Sequence, residues 1–190
     1  FGVPSVAYSP FGRGMTSIRQ PVADYPKFDV ARAKALVKEY GKPVAFSLQY
    51  NNTPGTRHLA QSLQQMWAAA GMTVELVPYD QNRLVQNMTS KQFEASIYRY
   101  TGRADPHANT HPFFHSRYAE ENPSANYGGY SSKRVDELLE QGMATVDPAK
   151  RATIYSELAK VLVTDVMPYA YLNNVTDTIV TKRFVKGIPV

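Results

Sequence analysis

The chain has 190 residues, 43% of them hydrophobic, no cysteine, and a formal net charge of +5 with a pI near 9.3. That length fits one domain or one lobe of a larger protein. The missing cysteines exclude disulfides and thiol chemistry, and no run of about 18 apolar residues is present to cross a membrane. The basic residues (Arg13, Arg19, Lys27, Arg57, Arg83, Arg103 and Lys133 among them) are scattered and never five in a row, so neither a nucleic-acid stripe nor a basic amphipathic helix is found. The 13 tyrosines suit a cleft that is both apolar and hydrogen-bonding, or equally the outer face of strands. There is no signal peptide, and an opening of "FGVPSVAYSPFGRGM" without an initiator Met reads as the interior of a longer precursor.

Residues 1–28 carry Pro4, Pro10, Pro21 and Pro26 with little periodicity and are predicted to form an extended connector over the surface. Residues 29–190 read as one α/β unit. Asp29 caps a helix through "VARAKALVKEY" that Gly41 stops. "VAFSLQY" (44–50) alternates like a half-buried strand. Thr53-Pro54 opens a helix with Leu59, Leu63, Met66, Trp67 and Ala70 on one face, ending at Gly71. "TVELVPY" (73–79) is a second strand, Asp80 caps a short helix with Leu84, Val85 and Met88, and "FEASIYRY" (93–100) is a third strand. Short connections in this alternation predict a parallel sheet with right-handed crossovers. After a polar stretch at 117–130, Ser131 or Ser132 caps a helix through Val135, Leu138, Leu139 and Met143, and Asp147-Pro148 caps another that runs to about Val166. "PYAYLNNV" and "DTIVTKRF" are predicted as two closing strands.

Ligands of such sheets bind at the carboxyl ends of the strands, and "TGRADPHANTHPFFHS" (101–116) follows the third strand directly. It holds His107, His111 and His115, with Arg103 and Asp105 just ahead. On a straight helix, residues eight apart are separated by about 12 Å, too far for His107 and His115 to share one ion with bonds of about 2 Å. Pro112 is expected to disrupt a helix here. A two-histidine pair with Asp105 as third ligand stays open. The catalytic signatures Gly-x-Ser-x-Gly, a phosphate loop, Gly-x-Gly-x-x-Gly and His-Glu-x-x-His are all missing. Asp105-Pro106 has the pattern of a helix cap followed by Pro at the first helical position. His115, beside Phe113-Phe114, is expected to be packed and hydrogen-bonded. Arg103 is either a solvated charge or a cleft arginine.

The second half, "YTGRADPHANTHPFFHS" followed by Asn126, Tyr130, Val135-Asp136, Leu138-Leu139, Arg151, Tyr155 and Pro168, resembles the family 5 extracellular solute-binding proteins, as does "FDVARAKALVKEYG" earlier. The resemblance covers essentially all of the chain. It implies a periplasmic-binding-protein-like (type II) lobe, with 1–190 as the C-terminal lobe of a two-lobe receptor for an ABC importer. The reading adopted is a non-enzymatic one, with no cofactor and no bound metal expected. The expected partners are a small-molecule or peptide ligand, a membrane permease and the N-terminal lobe, in a periplasmic or extracytoplasmic, membrane-associated setting. Peptide-binding members commonly carry Trp in this loop and, three residues later, an Asp that holds the ligand's amino terminus. Here Tyr100 and Arg103 stand at those positions. An arginine cannot accept a hydrogen bond from an ammonium but can hold a carboxylate or phosphate by two prongs. Tyr100, Arg103, Asp105, Asn126 and Tyr130 are the expected ligand-binding residues, with Asn126 equally suited to bracing its own loop. The alternatives are a metal-chelate receptor on the same fold, using His107 and His111, and a hydrolase, for which no nucleophile–base pair is visible.

Overall fold

The computed structural model describes residues 5–12, 18, 25–100, 102–164, 168–174, 181–182 and 184–187. The closing strand expected over 177–184 and the end of the last helix beyond Thr164 lie mostly outside these residues. In chain order the elements are β1 (Ser5–Val6), α1 (Val30–Tyr40), β2 (Ala45–Asn51), α2 (Pro54–Ala69), β3 (Thr73–Tyr79), α3 (Gln81–Thr89), β4 (Ala95–Ser96), α4 (Pro106–Phe114), a 3-10 turn (Ser116–Tyr118), α5 (Lys133–Ala144), α6 (Pro148–Thr164) and β5 (Asn173–Asn174).

The helix starts follow local chemistry. The side chains of Asp29, Thr53, Asp80 and Ser132 each accept a backbone N–H from three residues on, as N-caps do. Asp147 does the same for the Lys150 N–H at 2.8 Å. Gly41 ends α1 at φ 70°, a left-handed conformation that glycine adopts without a Cβ penalty.

β2 lies at the centre of a three-stranded parallel sheet of order β3-β2-β4. Phe46, Leu48 and Tyr50 of β2 face α2 and join Ala60, Trp67 and Val74 in one apolar layer. Gln49 points the other way, toward α3, where its side chain accepts from Asn87 Nδ2 at 3.0 Å and donates to the Gln92 carbonyl at 2.9 Å. The two crossover helices therefore cover opposite faces. The third strand is shorter than the sequence suggests. The ladder to β2 ends with the Ile97 N–H donating to the Gln49 carbonyl. Beyond it the tyrosines of "YRY" turn to pack on other rings, and aromatic packing replaces the strand ladder.

The second half is helical. Phe114 of α4, Val135, Leu138 and Leu139 of α5, and Tyr155, Leu158 and Leu162 of α6 share one core. Phe11 and Ile18 are also buried in that core, at 2% and 3% exposure, so the amino-terminal segment does more than cross the surface. β1 pairs antiparallel with β5, tying that segment to Asn173 and Asn174, beyond the last helix.

One close approach sets the α5–α6 packing. A Cβ on Gly142 would sit 2.6–2.8 Å from the end of the Tyr155 ring. That ring is fully buried, edge-on to Phe11 at 6.0 Å and under the Arg151 guanidinium at 5.1 Å, so it cannot swing away. Gly142→Ala is expected to cost about 1–3 kcal/mol by overpacking. Gly55→Ala, whose Cβ meets nothing within 4 Å in the first turn of α2, is expected to be neutral or stabilising by up to roughly 1 kcal/mol. Urea unfolding of the two variants checks the contrast.

Candidate ligand-binding site

The loop after β2 feeds α2 on one face of the sheet. The loop after β4 feeds α4, whose Phe113 packs with Leu84 and Met88 of α3 on the other face. Connections that diverge in this way open a crevice at the carboxyl ends of the two neighbouring strands. Residues 97–100 and 102–105, which follow β4, are the candidate wall of such a crevice.

Asn109 holds this wall in shape. Its Oδ1 accepts the Arg103 N–H at 2.6 Å and the Tyr100 hydroxyl at 2.9 Å, and its Nδ2 donates to the Arg103 carbonyl at 2.6 Å. Because an N–H can only donate and a carbonyl only accept, the amide orientation is fixed. Asn109 is 2% exposed and sits inside α4, where an asparagine is ordinarily a weak helix former. Tyr98 and Tyr100 are each 37% exposed. Tyr98 meets Tyr127 edge-on at 5.6 Å, Tyr100 meets Phe113 at 4.8 Å, and Phe113 meets Tyr127 at 5.8 Å, so four rings form one connected series. Burial raises the pKa of the Tyr100 phenol, while the Arg103 guanidinium beside it pulls the other way. Arg103 itself is exposed, and among the described residues it has no carboxylate partner.

The other expected site residues serve the scaffold. Asp105 caps α4, taking the His107 N–H at 2.8 Å and the Ala108 N–H at 3.2 Å on Oδ1, and Pro106 occupies the first helical position. Its Oδ2 lies 2.9 Å from Arg151 Nη1, and this arginine holds the carboxyl below its ordinary pKa. Asn126 is fully buried, and its amide grips Tyr130 through the N–H at 2.8 Å and the carbonyl at 2.7 Å. Tyr130 is buried at 7% exposure and edge-on to Phe114 at 6.2 Å. Asn126 and Tyr130 therefore brace the loop behind α4 and do not join Tyr100 and Arg103 on the exposed wall. Sequence reasoning passed over Asn109, Tyr98, Phe113 and Tyr127. An asparagine in a helix interior, six residues after a loop arginine, was the available signal.

The expectation that Pro112 breaks a helix here is corrected, because α4 runs through it to Phe114. The proline lies in the last turn, where it removes a single intrahelical bond and the helix is about to end. The imidazoles of His107, His111 and His115 consequently line up, with ring centroids 4.6 and 4.7 Å apart. His115 Nδ1 accepts the Arg117 N–H at 3.1 Å, which leaves the neutral ring's proton on Nε2, 3.4 Å from Glu140 Oε1. Among the described residues no group of three or more His, Asp or Glu side chains is arranged to hold a metal ion.

His111 is the sensitive member of this column. Partial burial, and then its two histidine neighbours, lower its pKa from 6.5 to about 4. The folded protein thus binds this proton more weakly than the unfolded chain. Its contribution is fully present above pH 6.5 and declines as the pH falls toward about 4. Denaturant melts between pH 7 and pH 4 are expected to show this loss, and His111→Gln to flatten it. The lowered Asp105 carboxyl acts in a separate window, below its ordinary value of 3.8.

Residues 1–121 match the family model described as "Bacterial extracellular solute-binding proteins, family 5 Middle". The dipeptide-binding protein of Escherichia coli (strain K12) is 27% identical over 181 residues, covering 91% of this chain and 33% of the relative. Among solved structures, the periplasmic binding protein DppA from Helicobacter pylori, in complex with the peptide STSA, superimposes with a TM-score of 0.78 at 19% identity, over 90% of this chain and 33% of that one. The substrate-binding protein CtaP from Listeria monocytogenes gives a TM-score of 0.71 at 28% identity, over 84% and 33%. The chain spans about a third of the length of the curated relatives it matches. The fold is thus the α/β, type II periplasmic-binding-protein-like lobe, with a parallel sheet flanked by helices. The family match covers well over half of the sequence, and the chain belongs to the bacterial extracellular solute-binding proteins of family 5.

Proposed function

We propose that this chain is one lobe of a two-lobe receptor that captures a small solute, peptide-like or anionic, and delivers it to an ABC importer outside the cytoplasm. The observation that carries this reading is the wall at the carboxyl end of β4. There Tyr100 and Arg103 stand exposed, with the Tyr100 hydroxyl and the Arg103 backbone held by the buried Asn109. A wall fixed before ligand arrives loses little freedom on binding. Solute held against it by the second lobe favours the closed form, and the closed form is the one that docks on the permease at the membrane. The relatives' names are those of binding proteins, in keeping with a role without catalysis. In this reading Tyr100 and Arg103 touch the solute, Asp105 anchors α4, and Asn126 and Tyr130 keep the loop behind it in place.

Removing one partner of a desolvated charge pair costs roughly 2–5 kcal/mol. Arg103→Ala in the full-length protein is therefore expected to weaken binding of its retained solute by about thirtyfold or more. Calorimetry on the full-length protein checks it, and unchanged affinity would place the specificity elsewhere. The lobe alone offers half of the contacts and none of the water exclusion of closure, so it is expected to bind the same solute far more weakly.

A metal-chelate receptor is the second reading, resting on the 4.6 Å approach of the His107 and His111 rings. With His115 committed to the Arg117 backbone and Glu140, that leaves two imidazoles. Protein purified without a histidine tag is expected to carry no stoichiometric zinc or nickel by elemental analysis.

A further inference from the structure

We infer that the solute taken by this wall is an amphiphilic anion, with a carboxylate or phosphate that pairs with Arg103 and a flat apolar body that lies along Tyr98 and Tyr100. The inference rests on the receptor reading above and names the chemistry of its ligand.

The aromatic half of the argument is geometric. Tyr98 and Tyr100 are two residues apart, both 37% exposed, and each is pinned along one edge by a neighbouring ring, Tyr127 at 5.6 Å and Phe113 at 4.8 Å. Exposed tyrosines on a surface usually keep rotamer freedom that a ligand must remove. These two rings are already immobilised, so a planar apolar group gains contact area with little ordering cost.

The charge half follows from who has donors and acceptors left. The Tyr100 hydroxyl gives its proton to Asn109 Oδ1, so it has none to offer a ligand. Asp105, the one carboxylate between residues 95 and 115, is occupied on Oδ1 by two backbone N–H groups and by Arg151, and on Oδ2 by Arg151. Asp80, at the carboxyl end of β3, caps α3 through the Arg83 N–H at 3.0 Å. A ligand ammonium brought to this wall would meet the Arg103 guanidinium, and among the described residues the acids nearest in the chain, Asp105 and Asp80, already serve as helix caps. A carboxylate or phosphate would meet the same guanidinium, which lies beside the Tyr100 hydroxyl and has no described acid as partner, and a guanidinium can pair with two oxygens at once. The buried Asn109 fixes the Arg103 backbone on both its N–H and its carbonyl, and so limits where the charge can go.

The test uses the full-length protein and four probes, 2-naphthoate, 2-naphthyl phosphate, 2-naphthylmethylammonium and acetate, titrated by calorimetry. At least one aromatic anion is expected to bind roughly tenfold or more tighter than the aromatic cation, and acetate to bind too weakly to measure. Which of naphthoate and naphthyl phosphate binds better identifies the anionic group. Arg103→Ala should abolish the preference for anion over cation, while Tyr98→Ala should weaken the aromatic anion without reversing it. Thermal melts of both variants establish that they fold. Equal or tighter binding of the ammonium probe, or an anion preference that survives in Arg103→Ala, would overturn the inference. Native mass spectrometry of the same protein separates the two levels. A retained solute with none of the aromatic anions binding overturns the ligand class alone, and neither a retained solute nor any probe binding overturns the receptor reading with it.

Discussion

β2 has a parallel neighbour on each side, so neither neighbour can be reached by a tight turn. Each connection must climb over a face of the sheet, and right-handed crossovers going in opposite directions must use opposite faces. The positions of α2 and α3 follow from this, and so does the crevice at the carboxyl ends of β2 and β4. The polar contact of Gln49 with Asn87 and Gln92 serves the same arrangement. It gives the Gln49 amide and Asn87 Nδ2 partners under α3, where an unpaired polar group costs about 1–3 kcal/mol, and so helps fix the seat of that helix on the sheet.

What stands in the crevice is decided by one buried amide. A loop leaving a two-residue edge strand has few ladder bonds to define it. Asn109 replaces them with three short hydrogen bonds reaching back six and nine residues. It does so from a helix whose start is capped by Asp105 and secured by Arg151. The order of dependence runs from Arg151 to Asp105, from Asp105 to the first turn of α4, and from α4 through Asn109 to Tyr100 and Arg103. The Asp105–Arg151 pair is half exposed on the acid's side, so its direct contribution to stability is small, on the order of 1 kcal/mol or less. Its consequence is positional: it engages Asp105, while among the described residues Arg103 has no carboxylate partner.

The helical half supplies the rigid support. Tyr155, Leu158 and Leu162 of α6 are fully buried against α5 and α4, and each such side chain removed from water contributes about 1.5–3 kcal/mol. Phe113 and Tyr169 belong both to this core and to the cluster under α3, so the two halves share side chains rather than meeting across a polar seam. The histidine column lies on the same helix as Asn109. Its proton uptake at low pH therefore weakens the element on which the wall depends.

Much of this was legible in the amino-acid order. The caps at Asp29, Thr53, Asp80, Ser132, Asp105 and Asp147 were readable because a cap is a hydrogen bond between residues two or three apart, and the parallel sheet because short alternating elements admit few topologies. The residues of the family pattern pointed to the loop after the third strand, and Arg103 was already conspicuous there. Other features depended on partners that are distant in sequence. Nothing in "FEASIYRY" says that its tyrosines leave the ladder for Phe113 and Tyr127, because the alternation of a strand and that of a packed loop look alike over eight residues. Asn126 and Tyr130 looked suited to a cleft, yet their burial depends on Phe114 and the α5–α6 core folding around them. Asp105 met Arg151, 46 residues away, and this pairing commits the acid to the scaffold while Arg103 stays exposed. The sequence by itself determined which residues begin helices and where the loop after the third strand lies, since those depend on hydrogen bonds and periodicities within a few residues. Which of the loop's polar groups are spent on the protein, and which stay exposed, was decided by the tertiary structure, because hydrogen-bond and charge partners are chosen by proximity in space.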